Sequence, residues 1–156
     1  MIKPLLVVLA LLVGGISHAA EPSFGDYSTK VYQGKRTLQS TSLTRTYATR
    51  FKEMKSAPIE FAGVYTTGGA GCGTGCYIEF YLNVKTGKPL EVSKQLDLNP
   101  YVGCRDGLEG GISIQPNSRL MVVHGSVIGS GLDNLGERDC VTQYYVEKNG
   151  KLIRVQ

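Results

Sequence analysis

Apolar and polar positions follow two different periods along this chain, and the change of period predicts one helix followed by strands. Over residues 42–55, apolar side chains recur at intervals of four, four and three, at Leu43, Tyr47, Phe51 and Met54. This spacing places them on one face of an amphipathic helix. Thr41 or Ser42 can cap its first turn. The helix is expected to end at Ala57, because the following Pro58 disfavours a helical conformation there.

Period-two alternation dominates the chain after residue 58. Over residues 77–84, one face carries Ile78, Phe80, Leu82 and Val84, and the other carries Tyr77, Glu79, Tyr81 and Asn83. We expect the first face in the core, with Phe80 buried like Phe51 of the helix, and the second facing solvent or a partner. Further strands are predicted over residues 59–67, 89–92, 111–115, 119–127, 140–147 and 151–155.

This succession predicts an α+β fold, in which one amphipathic helix packs on a curved, mainly antiparallel sheet of about six strands. Residues 41–156 are expected to form this single domain, and residues 21–40 an extended N-terminal arm. Three loops are predicted, over residues 68–75, 99–111 and 125–139. The first has five glycines in eight positions, which favours irregular backbone.

The first 20 residues have the pattern of a cleavable signal peptide. Lys3 precedes an apolar run over residues 5–13, and small residues at 17–20 offer a cleavage site. The apolar run is shorter than the ~20 residues that a spanning helix needs. No cysteine lies at the cleavage site, so neither a membrane nor a lipid anchor is expected. The mature protein is therefore predicted to be periplasmic or secreted.

An oxidising compartment favours disulfides between the four cysteines, Cys72, Cys76, Cys104 and Cys140. Their number alone allows three pairings, of which we expect Cys72–Cys76 and Cys104–Cys140. The short pair needs its glycines, because a straight strand would separate its Cα atoms by ~13 Å, whereas a disulfide requires ~4.4–6.8 Å. A zinc site would need about four close ligands. Because the mature chain has one histidine, we expect no metal.

Several residue combinations allow a catalytic interpretation, but none matches a specific motif. A Cys104 thiolate beside Arg105 could act with His124 as a base, unless the cysteine is in a disulfide. Carboxylate pairs for glycoside hydrolysis could be formed in the loops, by Asp106 with Glu109 or by Glu137 with Asp139. Asp133, Glu137 and Asp139 could also bind calcium, although their spacing does not match an EF-hand. We therefore expect neither catalytic residues nor a cofactor.

Composition favours a protein partner. The net charge is +4, and no basic run with interleaved aromatic residues is present, so nucleic acid is not expected. The chain has nine tyrosines, a residue type enriched at binding interfaces because it adds a large area with a polar tip. We expect the contact surface where the first loop meets the outward strand face. The predicted binding residues are Thr74, Tyr77, Glu79, Tyr81, Arg105 and Asp106.

Three short motifs follow the helix: Phe61-Ala62-Gly63-x-Tyr65, Gly71-Cys72-Gly73-x-x-Cys76 and Lys85-Thr86-Gly87. In this order they resemble a group of small exported bacterial proteins of unassigned function. The resemblance extends from the helix to the turn after the second strand. It implies the fold and the compartment but no reaction.

The leading functional hypothesis is a non-enzymatic exported binding protein, an inhibitor or immunity-type protein that blocks an envelope-acting enzyme or toxin. A small disulfide-linked scaffold with three long loops and no convincing catalytic set is typical of such a role. The alternatives are a small cell-envelope hydrolase that uses loop carboxylates and an envelope structural component. Should Tyr81 be covered by the chain itself, the contact surface is to be sought in the third loop.

Overall fold

The computed structural model describes residues 20–73, 76–128 and 138–156, without the side chains of Cys72, Cys76 and Tyr77. Within these ranges the predicted α+β class is confirmed, with two short helices followed by eight strands in two antiparallel sheets. The helices are α1 (Ser42–Thr46) and α2 (Ala48–Ser56). The strands are β1 (Tyr65–Gly73), β2 (Cys76–Asn83), β3 (Lys88–Leu90), β4 (Leu98–Asn99), β5 (Gly111–Ser113), β6 (Leu120–Val127), β7 (Cys140–Lys148) and β8 (Lys151–Arg154).

The predicted helix is divided in two at Tyr47, whose backbone leaves the helical region at φ −112° and ψ 42°. The first turn is closed by a reciprocal pair of hydrogen bonds. Thr41 Oγ1 accepts from the Thr44 N–H at 3.1 Å, and Thr44 Oγ1 accepts from the Thr41 N–H at 2.8 Å. Such a capping box satisfies two backbone groups that the helix cannot pair itself. Among the described residues, no helix is long and apolar enough to cross a membrane.

The strands form two sheets rather than one. The smaller sheet has the order β1-β2-β3, and the larger has the order β4-β6-β7-β8, with β5 also paired to β6. The main core lies between them and includes Tyr65, Tyr81, Leu98, Met121 and Tyr145. The other face of the smaller sheet packs against the helices through a second cluster, of Phe51, Met54, Ile59, Phe80, Leu82 and Val84.

Strand β2 is therefore buried on both faces. The prediction that Phe51 and Phe80 are buried is confirmed, since they are 0 and 1% exposed, and their ring centroids lie 5.2 Å apart. The prediction that Tyr81 points outward is wrong, because this side chain is only 1% exposed and meets the edge of Phe61 at a centroid distance of 5.9 Å. The larger sheet covers the face of β2 that carries Tyr81, which the sequence pattern predicts to face solvent or a partner.

The glycine-rich segment is mostly strand rather than loop. Strand β1 continues to Gly73 and pairs with β2 through Gly73 and Cys76, with a register shift between Gly71 and Gly73. A Cβ atom at Gly68 would lie 2.8 Å from Cγ of Met54, so any other residue here would force the Met54 side chain of α2 to shift. Here glycine permits close packing of a helix on a strand.

The N-terminal arm lies extended along the domain and is hydrogen-bonded to a tight turn. Its Tyr32 N–H donates to the carbonyl of Gly63 at 2.7 Å, and its Thr37 N–H donates to the carbonyl of Val84 at 2.8 Å. Ala62 and Gly63 both have positive φ, 50° and 74°, so this segment is a turn and not the predicted strand. A Cβ atom at Gly63 would collide with the backbone of the arm. The motif at residues 61–65 is thus a turn against which the N-terminal arm packs.

Candidate functional site: a disulfide-linked loop surface

One end of the larger sheet is joined by a disulfide. Cys104, in the loop after β4, is bonded to Cys140 at the start of β7, with 5.5 Å between their Cα atoms. The predicted Cys104–Cys140 pairing is confirmed, and it is compatible with an exported protein. The Arg105 N–H also donates to the carbonyl of Arg138 at 3.0 Å. The predicted Cys72–Cys76 pair lies outside the described side chains.

The loop that carries Cys104 is closed on itself. Gly103 and Glu109 form an antiparallel bridge, and the Gly110 N–H donates to the carbonyl of Val102 at 3.1 Å. Gly107 completes the bend with φ +78°, a conformation that other L residues adopt only with strain. These backbone bonds and the disulfide hold residues 102–110 in place.

Exposed apolar side chains concentrate at this end of the larger sheet, on the loop and on the neighbouring strand ends. Among the described residues, seven large hydrophobic side chains are exposed, and five of them belong to this end of the sheet. They are between 44 and 61% exposed, and we call them the loop surface: Tyr101, Leu108, Val127, Ile128 and Val141. Three of them lie on or beside paired strands, since Val127 pairs with Leu98, Val141 pairs with Gly125 and Ile128 donates its N–H to Asp97.

The sequences of the two loops are acidic in a basic protein. Residues 99–110 and 128–140 contain five acidic and two basic side chains, of which three acidic and both basic ones lie in the described part of the chain, whereas the whole chain has a net charge of +4. An ion pair joins Arg105 Nη1 and Asp139 Oδ1 at 2.9 Å. Both side chains are more than half exposed, so the pair contributes little to stability. It orients charge at the rim of the loop surface.

Glu79 connects the smaller sheet to the loop surface. The Tyr101 hydroxyl donates a hydrogen bond to its carboxylate. Burial raises the pKa of Tyr81 far above its ordinary value of 10.0, and the charge of the neighbouring Glu79 raises it further. The Tyr81 hydroxyl therefore stays protonated as a donor toward Glu79. The Glu79 carboxylate thus interacts with the hydroxyl of the buried Tyr81 and with that of the exposed Tyr101.

The predicted binding residues are only partly brought together. Glu79 contacts Tyr101 of the loop surface, whereas Arg105 and Asp106 flank the disulfide. Tyr81 lies below the surface, and Thr74 and the side chain of Tyr77 lie outside the described part of the chain. The five apolar members of the loop surface were not predicted. Their residue types gave no signal, because isolated apolar residues are common on protein surfaces.

A polar cluster lies beside the disulfide on the outer face of the larger sheet. His124 Nδ1 is 3.1 Å from Thr142 Oγ1. An Asp106 carboxylate oxygen is 3.1 Å from His124 Nε2, but this contact lacks the direction of a hydrogen bond. The two sulfur atoms and a His124 nitrogen lie within 4.8 Å of one another. Because both sulfurs are in the disulfide, the hypothesis of a Cys104 thiolate nucleophile is wrong for this structure.

The loop carboxylates have separate partners. Asp106 faces His124 and Asp139 faces Arg105, while Glu137 lies outside the described residues. Asp106 and Asp139 are thus each engaged by a different basic residue.

Comparison of the chain with protein-family models, with curated proteins and with solved structures gave no match. Function is therefore inferred from the geometry of the loop surface and its surroundings.

Proposed function

We propose that the mature protein is an exported, non-enzymatic binding protein whose loop surface contacts a protein partner. The observation that carries the proposal is the occurrence of five exposed apolar side chains on the loop and strand ends that the Cys104–Cys140 disulfide joins. Exposed apolar side chains that are grouped rather than scattered are a feature of interaction sites. The signal-peptide pattern of residues 1–20 supports export.

The loop surface is built to dock at low entropic cost. Its loop is held by the disulfide and by the backbone bonds of residues 102–110. The hydroxyl of Tyr101, its largest member, is held by Glu79. Side chains and loops that are ordered before binding lose less conformational freedom on association. We therefore assign Tyr101 as an anchor of the interface.

The charge of the two loop sequences suggests the kind of partner. Together they contain more acidic than basic residues, which favours a partner with basic residues around an apolar centre. An inhibitor or immunity-type protein that covers such a region on an envelope-acting enzyme or toxin fits both the compartment and the rigid surface. The affinity for such a partner should fall with ionic strength, because the rim charges are exposed.

The test is a capture experiment with matched variants of the mature protein. Wild type is used to retain partners from a periplasmic extract, and the affinity for the retained protein is then measured by calorimetry. Tyr101→Ala and Ile128→Ala are expected to weaken binding at least ~10-fold, which corresponds to ~1.4 kcal/mol. Ile153→Ala is the control, since Ile153 is similarly exposed on β8, outside the loop surface. Equal affinities for all three variants would overturn the proposal.

A hydrolase is the second candidate, favoured by the contact between Thr142 and His124. A hydroxyl within hydrogen-bond reach of an imidazole, with Asp106 on the other ring nitrogen, has the elements of an activated nucleophile. The undirected contact of Asp106 argues against a functional triad. Turnover of peptidoglycan fragments or simple esters, abolished in both Thr142→Val and His124→Gln, would establish the hydrolase instead of the binding protein.

A further inference from the structure

A cavity of about 540 Å³ lies between the turn that joins β2 to β3 and the turn that joins β7 to β8. It shares no residue with the loop surface. Its walls include the apolar side chains of Val64, Pro89 and Leu90, and Glu147 and Tyr65 line it as well. The volume falls within the ~300–1,000 Å³ of pockets that hold small molecules.

The carboxylate of Glu147 is the central polar group of this cavity. Glu147 is 9% exposed. One of its oxygens, Oε1, accepts from the Tyr65 hydroxyl at 3.0 Å and from the Gly150 N–H at 2.8 Å. The other oxygen, Oε2, has no hydrogen-bond or ion-pair partner in the part of the chain that the structure describes. A glutamine could supply Oε1 equally well, so anchoring the turn does not explain why the residue carries a negative charge.

Cations line the same cavity without neutralising this charge. Lys85 and Lys88 both contribute to its walls. Lys85 Nζ lies 5.9 Å from the centre of the Tyr32 ring, and Lys88 is exposed. No ion pair joins either lysine to Glu147 in the described ranges. Oε2 of Glu147 is not among the unpaired side-chain atoms that are shielded from water, so it is open to the cavity, where a positively charged group could donate a charge-assisted hydrogen bond to it.

We infer that this cavity binds a small zwitterion, namely a free α-amino acid or a dipeptide. The ammonium group of the ligand donates to Oε2 of Glu147, and its carboxylate is held by Lys88 together with Lys85. The apolar walls then accept its side chain. This inference is independent of the loop surface and of the proposed protein partner.

The test is an NMR titration of the isotope-labelled mature protein with alanine, leucine, lysine and alanyl-alanine. The backbone amide of Gly150 is the main reporter, because it donates to the carboxylate that the ligand approaches. We expect saturable shifts of this amide with at least one of these probes. N-acetyl and methyl-ester forms of that probe remove one charge each, and each should bind at least tenfold more weakly.

Two variants assign the charges. Glu147→Gln retains an acceptor for Tyr65 and Gly150 but removes the charge, and Lys88→Met removes the carboxylate partner; each should weaken binding at least tenfold. Lys52→Met is the control, because Lys52 is exposed on α2 and does not line the cavity. No shift with any probe, or unchanged affinity in the charge variants, overturns the inference. Should Glu147→Gln fail to fold, Lys88→Met and the two modified probes decide the outcome.

Discussion

The burial of Tyr81 decides whether β2 has one buried face or two. The loss of stability on replacing Tyr81 with alanine distinguishes these possibilities. In the structure the ring lies in the core between the two sheets, only 1% exposed and edge-on to Phe61. Removing a fully packed aromatic side chain costs about 3–5 kcal/mol. Tyr81→Ala should therefore remove a large part of a total stability of about 5–15 kcal/mol. Tyr81→Phe removes only the hydroxyl toward Glu79 and should cost about 1 kcal/mol.

Urea unfolding followed by far-UV circular dichroism provides the measurement, because the chain has no tryptophan for fluorescence. With an m-value of ~1–3 kcal/mol/M, Tyr81→Ala should lower the midpoint by more than ~1 M. Tyr101→Ala is the control, since this tyrosine is 57% exposed and should change stability by less than ~0.5 kcal/mol. A loss below ~1 kcal/mol in Tyr81→Ala would refute burial between the sheets. It would restore the face of β2 that carries Tyr81 as a contact surface.

Replacing Cys104 and Cys140 with serine should lower the free energy of unfolding by about 2–5 kcal/mol in chemical denaturation. It should also weaken partner binding; unchanged affinity would argue against a pre-ordered loop. Gly68→Ala should cost about 1–3 kcal/mol, because the added methyl group meets Met54 at 2.8 Å. Gly71→Ala is its control, since a Cβ atom there meets nothing within 4 Å; equal thermal midpoints for the two would contradict the close approach of α2. Burial raises the pKa of Tyr65 and Tyr81 above their ordinary value of 10.0, so above that pH the unfolded chain releases protons that the native state retains. The contribution of these two tyrosines to stability is therefore fully present below about pH 10 and is lost as the pH rises above it. Equilibrium unfolding of the variant with both tyrosines replaced by phenylalanine should show a shallower loss of stability in that range.

Local sequence determined the elements whose geometry depends on near neighbours. The 3.6-residue period placed Phe51 and Met54 on the buried face of a helix, and Thr41 capped it as its hydroxyl allows. An Asn-Gly pair is typical of a hairpin turn, and Asn149 and Gly150 between β7 and β8 have positive φ, 55° and 79°. Each of these features depends on residues a few positions apart. A single sequence is sufficient to indicate them.

Tertiary structure alone decided which surfaces are covered. Alternation in β2 separates two faces, but it does not show whether a second sheet packs on the more polar one; Tyr81 is compatible with either, since its ring is apolar and its hydroxyl can find Glu79. The glycines of β1 predicted a loop from their backbone freedom, whereas Gly68 is needed for space beneath Met54. The exposure of Tyr101 and its neighbours likewise depends on which other parts of the fold pack against them. Such contacts join residues far apart in sequence, so no local pattern carries them.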